Sequence, residues 1–152
     1  MKRAFIVISV VLPALALSAQ SDTDRKYIVL KRPAAATATA PFSEAVLKGD
    51  TLYVSGHLGL DPKTGKPGTT PEEEARLLME SFKATVEAGG MTMDDLVSVT
   101  VFCSDVSDYS AFNGVYRTYF HGNYPARAFI GAGKLLFGAR FEMQGLAVKR
   151  AK

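Results

Sequence analysis

Two strand-forming runs joined by a glycine-rich connection, near the C-terminus, constrain the fold more than any other stretch. In residues 125–130, Phe129 and Ile130 supply β-favouring bulk; in residues 140–147, Phe141, Met143 and Ala147 alternate with Arg140, Glu142 and Gln144. Between them, residues 131–138 hold glycine at 131, 133 and 138 and suit a reversal. A hairpin centred between Lys134 and Leu135 sets Arg127 opposite Glu142, and directly opposed residues share a face. A guanidinium and a carboxylate then project into one space. The pair reads in two ways. One is an exposed cross-strand ion pair, worth less than ~1 kcal/mol. The other is a site where arginine grips a carboxylate by its fork and glutamate handles a proton or a water.

The rest of the chain suits one domain with one core: 152 residues, 47% hydrophobic and 22% charged. Residues 1–19 stand apart. Lys2 and Arg3 begin them, residues 4–17 are almost wholly apolar, and Ser18 and Ala19 offer cleavage points. This is a secretory signal peptide, too short for a comfortable membrane span and interrupted by Pro13. The mature chain is expected to be exported, periplasmic or extracellular, with no membrane attachment. Lys2 and Arg3 leave with the leader, so 18 basic against 15 acidic residues becomes 16 against 15. No basic stripe remains to suggest a nucleic-acid partner. Cys103 is the only cysteine, which rules out an intramolecular disulfide. It continues the alternation of Val97, Val99 and Val101 and reads as a packed thiol.

Residues 20–40 form an N-terminal extension with one short strand at 27–30 and an irregular Pro/Ala/Thr passage at 33–40. The domain proper spans 41–152. Residues 41–46 and 52–57 read as a hairpin turning at 48–50. Residues 59–66 only superficially resemble a phosphate loop, because the glycine spacing is wrong and Pro67 stands where a Ser or Thr is required. Thr70, Pro71 and Glu73 announce a helix whose inner stripe is Ala75, Leu78, Met79, Phe82 and Val86, ended by Gly89 and Gly90. The helix dipole accounts for Glu72, Glu73 and Glu74 in its first turn. A second helix carries Tyr109, Phe112, Tyr116 and Tyr119 inward, with Asn113 off that stripe. The economical packing is α+β: one mixed sheet covered on one face by two helices, its other face covered by copies of the chain. His57 and His121 lack a cysteine partner and H-x-x-x-H spacing, so no metal is expected.

Pro125-Ala126-Arg127, Phe141-Glu142-Met143 and the motifs upstream resemble the RidA (YjgF) family of imine/enamine deaminases, from about residue 41 to the C-terminus. The resemblance implies a chorismate-mutase-like fold, assembled as a homotrimer with its sites in clefts between subunits. It implies hydrolysis of 2-imino or enamine acids to 2-oxo acids and ammonia, without metal or organic cofactor. On this resemblance Arg127 binds the substrate carboxylate, Glu142 and the backbone carbonyl of Phe129 hold the attacking water, and Ser55 and Gly56 add backbone contacts. Asn113 matches the asparagine of an Asn-x-x-Tyr pattern ending at Tyr116.

Three positions depart from the family pattern. Phe42 stands where a tyrosine is usual, Glu44 where a neutral amide is usual, and residues 135–138 replace a Leu-Pro loop. Phe42 removes a hydroxyl from the site. Glu44 would repel a carboxylate if it pointed inward. Those two changes, together with export, motivate the alternative: a non-catalytic trimer that binds small carboxylates or acts like a chaperone.

Overall fold

In a computed structural model, the structure describes residues 24–30 and 40–150. The expected leader, residues 1–19, and most of the irregular 33–40 passage lie outside the described residues. Six strands form one mixed sheet in the order β1-β2-β3-β6-β4-β5. They are β1 (Arg25–Ile28), β2 (Ala45–Lys48), β3 (Thr51–Leu58), β4 (Leu96–Cys103), β5 (Ala126–Gly131) and β6 (Phe141–Val148). Two helices, α1 (Pro71–Ala88) and α2 (Tyr109–Tyr116), cover one face. The expected short strand begins two residues early and pairs antiparallel with β2.

Local chemistry explains the elements that sequence reading anticipated. The β2–β3 hairpin turns at Gly49, whose φ of +56° favours glycine. At the start of α1 the Thr70 side chain accepts from the Glu73 N–H, with Pro71 in the first turn. Ala75, Leu78, Met79, Phe82 and Val86 are all fully buried. They pack against Leu52, Val54, Val99, Val101, Phe141 and Met143 from the sheet.

The C-terminal hairpin does not form. β5 instead runs parallel to β4, and β6 lies antiparallel between β3 and β4. The cause is the helix between β4 and β5. A strand–helix–strand passage is how parallel neighbours are joined, whereas a hairpin needs only a tight turn. From β5 the chain passes through a 3₁₀ turn (Leu136–Gly138), crosses the end of β4 and enters the sheet on its far side. That position lets Phe141, Met143 and Ala147 bury completely.

Two further details differ from expectation. A bulge between Leu96 and Ser98 turns Leu96 inward and leaves Val97 exposed. Glu74 is not simply a first-turn acid, because its side chain is wholly buried. The carboxylate accepts from the Arg140 and Phe141 backbone N–H groups, and from Arg140 Nη1 at 2.9 Å. It fastens the start of β6 to α1.

Candidate active site

Register decides which way each candidate side chain faces. Val99 is the Cα partner of Arg127 and Val101 that of Phe129. Both valines are buried with the helices, so Arg127 and Phe129 stand on the helix side of the sheet. Glu142 pairs with Phe102 and Leu58, one residue out of phase with that set. It therefore stands on the opposite, uncovered face. Within one chain, Arg127 and Glu142 do not meet. Two half-sites result.

The first half-site surrounds Arg127 on β5, an edge strand. The guanidinium lies 4.7 Å from the centre of the Tyr116 ring, 5.7 Å from that of Phe129 and 5.9 Å from that of Tyr109. Such ring faces attract a cation without neutralising it. None of the ion pairs among the described residues involves Arg127. It borders a cleft of about 320 Å³ that Tyr109, Asn113, Tyr116, Tyr124 and Pro125 also line. Asn113, expected off the inner stripe, is buried and faces this cleft. It sits three residues before Tyr116, on the same helix face. α2 ends at Tyr116 and tightens into a 3₁₀ turn, where Tyr119 still packs half-buried against the core, whereas Tyr109, expected inward, is exposed at the start of the helix.

The second half-site surrounds Glu142. β3 and β6 slip register between Val54 and His57, which leaves Ser55 and Gly56 in a bulge. The Ser55 N–H and Oγ–H both donate to the Glu44 carbonyl, at 3.0 and 2.8 Å. Glu142 lays its carboxylate over Gly56, where a Cβ would come within 2.1 Å of Glu142 Oε1. Glycine is needed here for room. Behind the bulge, His57 is buried, with Nδ1 2.8 Å from the Ser55 carbonyl and Nε2 2.9 Å from Thr85 Oγ1. Nδ1 must be the donor, since a carbonyl only accepts. His121 is exposed, 3.7 Å from Asp94, and takes no part.

Glu44 lies 3.8 Å from His57 Nε2 and is absent from the walls of the Arg127 cleft. Within the chain, its charge is directed away from the place an anion would take. Phe42 is exposed ahead of β2 and also lies outside that cleft. Cys103 is fully buried and its Sγ donates to the Asp105 carbonyl at 2.9 Å. Burial pushes the thiol above its ordinary range, with nearby Asp108 adding to the effect, so it is an inert packing group. Sequence reading placed Tyr116 on the inner face of the helix without a site role, and it is 3% exposed yet lines the cleft. Its place in the Asn-x-x-Tyr spacing was the available signal.

Residues 32–149 match the family model described as Endoribonuclease L-PSP. The chain belongs to that family, the RidA (YjgF) family. The 2-iminobutanoate/2-iminopropanoate deaminase of Rattus norvegicus is 37% identical over 123 residues, covering 80% of this chain and 89% of the relative. RidA from an Antarctic Psychrobacter superposes with a TM-score of 0.74 at 33% identity, covering 82% and 99% of the two chains. TdcF of E. coli, solved with bound serine, gives 0.74 at 29% identity, covering 82% of this chain and all of that one. The family's sheet covered by two helices is the architecture described above. Its deaminase function is supported by the named relatives.

Proposed function

We propose that this chain hydrolyses 2-imino and enamine acids to 2-oxo acids and ammonia, in sites built where two copies meet. One copy supplies Arg127 and the next supplies Glu142. The observation that carries this reading is the split between the half-sites. Among the described residues, a guanidinium in no ion pair borders one cleft, and a carboxylate in no ion pair sits on the opposite face. The uncovered face also displays Tyr53, Ile130 and Leu146, apolar surface suited to association. A closed homotrimer brings each uncovered face against a neighbour's edge. The matched relatives, named as imine deaminases or solved with a small amino acid bound, support the substrate class. The signal-peptide pattern of residues 1–19 supports a working place outside the cytoplasm.

The chemistry follows from these groups. Arg127 takes the substrate carboxylate by its fork, fixing the adjacent C=N carbon. The neighbour's Glu142 and the Phe129 carbonyl orient a water, and the carboxylate takes a proton as oxygen adds to that carbon. The carbinolamine then expels ammonia and leaves the 2-oxo acid. Atoms balance with water alone.

The direct test generates the imine in place with an amino-acid oxidase and follows its disappearance. Arg127→Ala is expected to lower kcat/KM by about a hundred- to a thousand-fold, since a charged anchor is lost. Hydrolysis at the wild-type rate would refute the anchor role. Gly56→Ala probes the other half-site. Its Cβ would displace the end of a flexible side chain rather than backbone. Stability should change by less than about 1 kcal/mol, while misplacing Glu142 should cost about a hundred-fold in rate. Denaturant midpoints measured beside kcat/KM separate the two effects.

A further inference from the structure

The Tyr116 hydroxyl is, among the described residues, the one buried side-chain polar atom with no hydrogen-bond partner. Leaving a buried donor unmatched costs stability. Phenylalanine would fill the same space and keep the ring face that Arg127 rests on. Tyr116 nevertheless lies in the wall of the cleft, with the guanidinium 4.7 Å from its ring centre and the Tyr124 ring stacked at 6.4 Å. A group that weakens the free chain and borders a ligand cleft finds its partner in the ligand.

We propose that the Tyr116 hydroxyl is a substrate-positioning donor, giving its hydrogen bond to a carboxylate oxygen of the small 2-imino or 2-oxo acid that Arg127 holds. The inference rests on the reading of Arg127 as a carboxylate anchor. A carboxylate gripped by both prongs of a guanidinium keeps lone-pair sites open for a further donor. The phenol suits that part: burial pushes it up to about 12, against the pull of the Arg127 charge. It therefore remains a neutral donor across the working pH range. In the free chain the hydroxyl is enclosed, so the cleft wall must give way there for the anion to reach it.

The test titrates the full protein with 2-oxobutanoate, a stable oxo acid, by calorimetry, beside melting of the ligand-free protein. Tyr116→Phe is expected to weaken binding about ten-fold, while its ligand-free Tm stays equal to wild type or rises. Equal affinity in Tyr116→Phe overturns the proposal. So does a ligand-free Tm lowered by several degrees without loss of affinity, which would reveal a structural partner. Arg127→Ala separates this inference from the one beneath it. If Arg127→Ala loses binding and Tyr116→Phe keeps it, the anchor stands and the role of Tyr116 falls. If Arg127→Ala binds as tightly as wild type, both fall.

Discussion

Mixing Arg127→Ala chains with Glu142→Ala chains, each nearly inactive alone, is expected to restore about a quarter of the wild-type deaminase rate once subunits exchange. The expectation follows from the faces on which the two groups stand. Arg127 shares its face with Val99, and Glu142 shares its face with Phe102, on opposite sides of one sheet. No rotamer brings the two together within a chain. A site between copies takes the guanidinium from one protomer and the carboxylate from its neighbour. In a random equal mixture, about half of the first protomers carry an intact arginine and about half of their neighbours an intact glutamate. The product is independent of how many subunits close the ring.

The control is sharp because a site housed in one chain predicts no recovery. Co-refolding the two variants and confirming mixed assemblies by native mass spectrometry fixes the composition, and imine hydrolysis is then measured. Rates that remain at the average of the two parents, in proven mixed assemblies, would sink the shared site. Recovery well above a quarter would mean that one of the two residues is dispensable.

Sequence reading served well where the determining forces act within a few residues. Thr70, Pro71 and Glu73 write the start of α1 into four consecutive positions, and Gly49 writes the β2–β3 turn. The pairing of Arg127 was misjudged for the complementary reason. Strand alternation states which residues share a face within one strand, but it carries no information about the neighbouring strand. The same alternation in β6 is satisfied beside β5 or between β3 and β4. What selects the second is burial of Phe141 and Met143 in the core shared with α1. The helix between β4 and β5 was legible, but the parallel pair that such a crossover implies was not drawn from it. Asn113 escaped the stripe by one position, since a buried helix face is wider than a single line of residues.

Glu74→Ala is expected to destabilise the protein by about 3–5 kcal/mol, more than any other substitution considered. Adjacent acids in the first turn of α1 hide this residue. Glu73 bonds Thr69 at the surface, whereas Glu74 points inward to partners 66 and 67 positions away. Removing its carboxylate takes the nearest anion from the one-third-exposed Arg140 guanidinium, leaving it Asp108 at 4.0 Å and the Gly68 and Thr69 carbonyls, and orphans the part-buried N–H of Arg140 and the buried N–H of Phe141. Arg140→Ala should cost less, because Glu74 then keeps both backbone donors. Replacing the two together should not recover the loss, as it would for a simple buried pair, since the N–H groups remain unmatched. Urea midpoints at fixed protein concentration for the two single variants and the double variant decide this order. A double variant near wild-type stability would show that the ion pair, not the backbone seat, holds β6. Glu142 follows Phe141 directly, so a loosened seat reaches the carboxylate proposed to hold the water. Glu74→Gln, which keeps one acceptor oxygen for the N–H groups, should therefore lose rate by a larger factor than its stability change would suggest.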